Sequence, residues 1–332
     1  MGGFLVLYPL KFKPLYKDYI WGGRNLERLG KKLPEGIVAE SWELSCHPDG
    51  QSIISNGFLE GTTLGNANNK YGSLLMGSDV SKKYGSRFPL MVKLIDSNAD
   101  LSVQVHPGNE YASKNENGEY GKNEMWYIID AKPNAELYYH LVPGTTKEQF
   151  ENAVKNNEIT TCLKKIKVKP GDVIDIPAGV VHSLGKGILL IEIQQTSNLT
   201  YRIYDYNRTD DAGKKRPLHL EKAMDVIDFS RQKDSQQFTQ IVIKKESGLT
   251  KTCLLSNEYF CVDMYDINKE YKDTADGKKF FMYTIINGEG IIKYNGNTLK
   301  IEMGDTFLIP ASLGNYKICG ELQIVKAYVP SL

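Results

Sequence analysis

The segment Val168-Lys169-Pro170-Gly171-Asp172-Val173-Ile174-Asp175-Ile176-Pro177-Ala178-Gly179 recurs, weakened, as Ile301-Glu302-Met303-Gly304-Asp305-Thr306-Phe307-Leu308-Ile309-Pro310-Ala311-Ser312. In each copy Gly-Asp makes a tight turn, an apolar run of about five residues spans a sheet, and Pro breaks the ladder before the next strand. Turn, strand, turn, strand written twice in one chain implies two related β-barrels.

The composition agrees with a globular, mainly β protein. A chain of 332 residues fits roughly two domains and a sizeable core. Apolar residues at 41% and charged residues at 24% are ordinary for a globular protein, and 20 Tyr among short Gly-bounded runs lean toward strands. Lys plus Arg at 41 nearly balance Asp plus Glu at 40, with no basic or acidic block, so a nucleic-acid partner is not expected. No run approaches the length of a membrane span, and Met1 to Leu10 is too short and uncharged for a signal peptide. A cytoplasmic protein with no membrane partner is the expectation. The five cysteines, Cys46, Cys162, Cys253, Cys261 and Cys319, contain no Cys-x-x-Cys pair. They read as reduced, mostly buried thiols, and any metal must be held by His, carboxylate and amide groups.

The spacing Gly171-x5-Pro177-x-Gly179-x2-His182 resembles the second cupin motif, found in jelly-roll barrels that carry a metal inside the mouth. In the second copy Ser312 stands where Gly179 does, and Asn315 where His182 does, so that barrel is expected to be structural and metal-free. From about 145 to 165, Glu148, Phe150, Val154 and Leu163 at helical spacing predict a short helical insertion. Asp210-Asp211-Ala212-Gly213 reads as a turn and Leu220 to Ile227 as a helix. The expected organisation is a catalytic barrel over 1–207, a helical bridge over 208–235 and a degenerate barrel over 236–332.

The chemistry gathers in the first half. Leu101-Ser102-Val103-Gln104-Val105-His106-Pro107 alternates with period two, so Gln104 and His106 share a face two residues apart, as two metal ligands on one strand would. A polar outer face is the plainer alternative. Lys122-Asn123-Glu124-Met125-Trp126-Tyr127-Ile128-Ile129 opens an apolar strand with a Lys and a Glu on one face, which a solvated strand end would also explain. Together Gln104, His106, Glu124 and His182 offer one amide, two imidazoles and one carboxylate, a set that suits Zn²⁺ or a similar divalent ion with open water positions.

The sequence resembles the type I mannose-6-phosphate isomerases, in their short bacterial form. The resemblance rests on Tyr19-Ile20-Trp21-Gly22-Gly23, Glu40-Ser41-Trp42-Glu43-Leu44-Ser45, Phe88-Pro89-Leu90-Met91-Val92-Lys93-Leu94-Ile95, Gln104-Val105-His106-Pro107, Lys122-x-Glu124-x-Trp126-Tyr127 and Tyr201-Arg202-Ile203-Tyr204-Asp205-Tyr206, in the family's order. It implies that Gln104, His106, Glu124 and His182 surround one zinc ion, that Arg202 is the active-site arginine, and that Lys122 lies close to a sugar-phosphate substrate. The implied reaction interconverts D-mannose 6-phosphate and D-fructose 6-phosphate through an enediolate. Longer relatives carry a His just before the Lys of Lys-x-Glu, where this chain has Gly121. Any role of that His does not transfer.

Arg202 offers a planar, permanent cation for an oxyanion or phosphate, and Lys122 a compact second one. Strict alternation places Arg202 opposite in face to Tyr201 and Ile203, free to enter the barrel mouth. Glu192, a carboxylate inside Leu189-Leu190-Ile191-Glu192-Ile193-Gln194, is the leading candidate for the proton-transfer base, because burial raises a carboxyl pKa. A metal-bound water is the alternative base, and an ion pair across the barrel is the plainer role for Glu192. Trp21 is a candidate substrate contact, as core or pocket wall, and Glu40 and Glu43 could shape the cleft. His47, His140 and His219 are expected outside the ligand set. A non-catalytic sugar-binding cupin is the competing function. An iron dioxygenase is disfavoured because Gln104 stands where a His-x-His pair is wanted.

Overall fold

A computed structural model describes residues 7–209, 212–230 and 241–331. Strand dominates, as expected. The first half of the chain supplies two facing antiparallel sheets. One runs, in spatial order, Val173–Ile176, Glu124–Ala131, Ile188–Gln195, Leu90–Ser97, Glu40–Leu44 and Leu15–Lys17. The other runs Leu163–Lys167, Glu136–Leu141, His182–Ser183, Val103–Val105 and Tyr201–Tyr204. Their inner faces meet in a core that includes Trp126, Ile128, Ile174, Ile176 and Leu190 from the first sheet and Leu137 and Tyr139 from the second.

Ile188–Gln195 shows how the period of two builds this arrangement. All eight residues are buried. Ile188 and Leu190 join the core between the sheets, while Leu189, Ile191 and Ile193 join a cluster shared with Leu254, Val262, Met264, Met282, Leu308 and Val325 of the C-terminal half. Glu192 and Gln194 are in phase with Ile188 and Leu190 and so point between the two N-terminal sheets.

The C-terminal half forms most of a ten-stranded sheet, whose long strands Phe281–Tyr294 and Gly314–Tyr328 pair over most of their length. Leu10–Lys13 leaves the N-terminal half to pair with Thr306–Ile309, so the two halves share a sheet edge at the chain's beginning. Both expected Gly-Asp turns are present. Gly171 and Gly304 have φ of 89° and 87°, a region glycine enters at little cost. Asp172 accepts from the Lys169 N–H at 2.9 Å, and Asp305 from the Glu302 N–H at 2.9 Å.

The helical insertion is shorter than 145–165. A helix covers Lys147–Lys155, started by a reciprocal Thr146–Gln149 capping box, and a 3-10 turn covers Ile159–Cys162. Leu163 belongs instead to the strand Leu163–Lys167, where pairing with Glu136–Leu141 outweighs helical spacing. Leu220–Val226 is helical as expected, whereas Asp210 and Asp211 of the predicted turn lie outside the described residues. Four α-helical segments, Leu64–Tyr71, Ser73–Met76, Ser78–Tyr84 and Asn109–Asn115, are not among the elements expected from the sequence. All five cysteines are unpaired, and all are half-buried rather than buried. Among the described residues no helix is long and apolar enough to cross a membrane.

Candidate active site

Val103 and Val105 pack into the apolar cluster of Phe150, Ile159, Ala223 and Ile227, which includes residues of both helices, Lys147–Lys155 and Leu220–Val226. That contact turns the intervening Gln104 and the following His106 to the opposite, inner face. Leu101 joins the inter-sheet core rather than this cluster, because the strand begins only at Val103. Gln104 pairs in register with His182 on one side and with Arg202 on the other. Glu124 opens its strand opposite Ile176, at the end of the repeated segment. The Gly179 N–H donates to the His106 carbonyl at 2.9 Å, folding the Pro177–Gly179 turn back over the site.

His106, Glu124 and His182 converge, with one ligand atom from each lying within 4.8 Å of the others. Nε2 of His182 is 3.3 Å from Glu124 Oε1, and Nε2 of His106 is 3.6 Å from Glu124 Oε2. The amide of Gln104 reaches His182 Nε2 at 3.2 Å. His182 Nδ1 donates to the Val180 carbonyl at 2.9 Å, which fixes the tautomer and leaves Nε2 bare toward the centre. His106 Nδ1 and Nε2 and Glu124 Oε1 are buried with no hydrogen-bond partner, and Glu124 Oε2 has only its ion pair with Lys122. Buried polar atoms left unpaired cost stability, and a cluster of them is the donor set a metal ion satisfies.

Electrostatics favour the ligand forms. Burial, and after it Lys122, drives the His106 pKa down to about 3, so the imidazole is neutral. Burial alone would raise Glu124, but Lys122 and the two imidazoles hold it well below the usual carboxylate range. Lys122 Nζ lies 2.8 Å from Glu124 Oε2 and is itself buried. The position before Lys122 has no room for a side chain. A Cβ on Gly121 would meet the Asn109 nitrogen and the Gly108 carbonyl carbon at 2.4 Å.

Behind these residues lies a buried ionic network. Glu192 Oε2 accepts from Trp126 Nε1 at 2.9 Å, and Oε1 is 3.2 Å from Lys93 Nζ. Lys93 in turn lies 3.5 Å from Glu40 Oε2, which accepts from Trp42 Nε1 at 2.7 Å. Burial, and after it the nearby Glu124, raises the Glu192 pKa. The ion pair across the sheet is also present. Lys93 is not among the site residues expected from the sequence, although one Lys inside the apolar run Leu90–Ile95 and one Glu inside Leu189–Ile193 form a visible complementary pair. Trp126 stands T-shaped to His182, with ring centroids 5.6 Å apart, and so links Glu192 to the candidate ligands.

Arg202 alternates as expected, with Tyr201 and Ile203 in the apolar cluster beneath the helices. Its Nε is buried without a hydrogen-bond partner. Trp21 requires a correction. It is only 3% exposed and belongs to the inter-sheet core, so no ring face is open to a sugar; the aromatic beside it, Tyr19, is exposed at 37%. Glu43 is likewise spent, paired with Lys31 at 2.5 Å. His47 pairs with Glu119 and His219 with the Arg202 backbone, outside the ligand cluster.

Residues 9–135 match the family model for the catalytic domain of type I phosphomannose isomerase, and residues 250–329 that for the cupin domain of mannose-6-phosphate isomerase. Over 97% of this chain and 99% of the relative, the sequence is 38% identical to mannose-6-phosphate isomerase ManA of Bacillus subtilis. The chain belongs to the type I phosphomannose isomerase family. It is therefore an enzyme of the isomerase class. Mannose-6-phosphate isomerase of Streptococcus mutans is 33% identical over 96% of this chain and 98% of its own length. The crystal structure of mannose 6-phosphate isomerase from Bacillus subtilis superposes with a TM-score of 0.90 at 35% identity, covering 97% of this chain and all of that one.

Proposed function

We propose that this chain is a zinc-dependent isomerase interconverting D-mannose 6-phosphate and D-fructose 6-phosphate through a cis-enediolate. The observation that carries the reading is the buried convergence of His106, Glu124 and His182 with lone pairs unspent. Gln104, His106, Glu124 and His182 would hold the ion. When bound, zinc supplies Lewis-acid stabilisation of negative charge developing on the sugar oxygens. Lys122, beside Glu124, adds a compact cation at the same end of the site. Glu192 is the proposed base, moving the proton between C1 and C2, with its raised pKa suited to that task. Arg202 is proposed to face substrate charge with its planar donors. The ring of Trp21 would act only as the wall behind the exposed Tyr19.

We place the catalytic unit at 1–207 and a second jelly roll without metal at 236–332, joined by the bridge at 208–235. Matching turns at Gly171 and Gly304 support two related barrels. A cytoplasmic enzyme acting on a small soluble metabolite fits the absence of any long apolar helix among the described residues. A coupled assay with mannose 6-phosphate, before and after chelation, tests substrate and metal together. Activity should vanish on chelation and return with zinc. Full turnover by metal-free protein would end this reading.

A further inference from the structure

Arg216 is held against Arg202 by its own sequence neighbours. Arg202 Nη1 donates to the Pro217 carbonyl at 2.9 Å, and the Arg202 N–H donates to His219 Nδ1 at 3.1 Å. The His219 N–H returns a bond to the Arg202 carbonyl at 2.8 Å. Arg216 places Nε and Nη2 on the two oxygens of Asp205, at 2.8 and 2.6 Å, and Arg208 Nη2 donates to the same Oδ1 at 2.5 Å. Among the described residues, two guanidinium groups, of Arg208 and Arg216, therefore share the carboxylate of Asp205, and Arg202 lies within its electrostatic reach.

Three arginines around one carboxylate leave a surplus of positive charge. Burial, and after it Arg216, disfavours the charged form of Arg202 more than Asp205 restores it. Tyr19 lies within electrostatic reach of both Lys93 and Arg216, which ties the arginine cluster to the rim of the buried network. Asp205 is buried, whereas the Arg216 side chain is 27% exposed and accessible to a ligand. Lys122 is buried as well as paired with Glu124, whereas Arg216, though paired with Asp205, is partly exposed. A phosphate monoester carries a charge between about −1.5 and −2 at neutral pH, and guanidinium forks match its oxygens.

We propose that Arg216 is a specificity-determining residue that, with Arg202, takes the phosphate end of the substrate, aimed by Asp205 as its positioning residue. This rests on the sugar-phosphate reading above. It separates the two ends of the substrate: carbonyl toward Glu124 and His182, phosphate toward Arg202 and Arg216.

The test is calorimetric binding of sorbitol 6-phosphate, which has the phosphate but no carbonyl to isomerise, to the zinc-loaded full chain. Arg216→Gln should weaken binding by about 10- to 100-fold, the loss expected for a charged hydrogen bond. In turnover of mannose 6-phosphate, its KM should rise by more than its kcat falls. Arg216→Lys, which keeps a cation beside Asp205, should fall between wild type and the glutamine variant, and it carries the test if the latter fails to fold. Binding within twofold of wild type in a folded Arg216→Gln protein overturns the inference. Wild-type protein that binds sorbitol 6-phosphate through Arg216 but does not turn over mannose 6-phosphate would sink the isomerase reading while leaving this assignment standing.

Discussion

Between the N-terminal sheets, Trp126 faces Ile174 across one ladder and Glu192 across the other; in the C-terminal sheet Tyr283 faces Phe307 and Lys326 in the same two registers. Following the same ladders, Glu192 faces Lys93 where Lys326 faces Asp263, a reversal of charge. Glu124 faces Ile176 where Phe281 faces Ile309. The position of the candidate ligand Glu124 in one half is thus an aromatic ring in the other.

The two interiors spend their polar atoms differently. Asp273 Oδ2 accepts from Tyr271, Tyr316 and Tyr283 at 2.7, 2.8 and 3.2 Å and pairs with Lys326 at 2.5 Å. Its other oxygen accepts from the Thr274 N–H, and Lys326 lies 3.6 Å from the Phe281 ring centre. Among the described residues, no buried side-chain atom without a hydrogen-bond partner lies beyond Tyr206, whereas His106, Glu124, Glu192 and Arg202 each hold at least one. One half therefore carries a polar cluster whose members satisfy one another, and the other carries buried donors with lone pairs left over.

The sharpest way to break this contrast is at the ligands. His182→Ala should lose bound zinc and turnover together, by about 10⁴-fold or more in activity, since a Lewis acid worth several kcal/mol goes with it. Metal analysis beside the coupled assay checks it; a metal-free variant with wild-type activity would dissolve the distinction. Glu192→Gln should keep its zinc yet lose about 10³-fold in kcat, within the range for general-base catalysis. Were Glu192 only the partner of Lys93, melting temperature would drop and kcat would not.

Arg202→Lys should lower turnover by about 10²-fold with little change in melting, because the charge stays but the planar fork goes. Near-normal turnover would remove Arg202 from the chemistry. The smallest expected effect on activity lies in the other half. Asp273→Asn should destabilise by about 3 kcal/mol, as when a buried pair loses one member, while kcat of the folded protein is unchanged. Burial alone would raise the Asp273 carboxyl, but Lys326 and then Tyr271 hold it below its ordinary value. A depressed carboxyl contributes stability above its unfolded pKa of about 3.9 and loses it as pH falls further. The stability gap between wild type and Asp273→Asn should accordingly be full near neutral pH and shrink below about pH 4, as followed by chemical denaturation.

What the sequence made legible was local. Gly-Asp turns, the Pro-x-Gly-x2-His spacing and the alternation around Gln104 and His106 depend on residues a few positions apart, where turn chemistry and the strand period act directly. Pairings set by register across distant strands were less accessible. Lys93 with Glu192 needs the Leu90–Ser97 ladder, and Arg216 needs the bonds between His219 and Arg202 that bring its loop alongside. Asn315, which spacing matched to His182, is exposed and accepts from Thr274 at 2.7 Å, while the neighbouring Tyr316 fills the interior. The share of Leu10–Lys13 in the C-terminal sheet likewise carries no signal in its own residues.

The central claim, that the metal belongs to the unsatisfied cluster and not to its counterpart, is tested most directly by anomalous diffraction at the zinc edge from crystals of the zinc-loaded protein. A single strong peak is expected among Gln104, His106, Glu124 and His182, with ligand distances of about 2.0 to 2.2 Å. No peak there, or a stronger one beside Asp273 and the tyrosines of the C-terminal sheet, would contradict it.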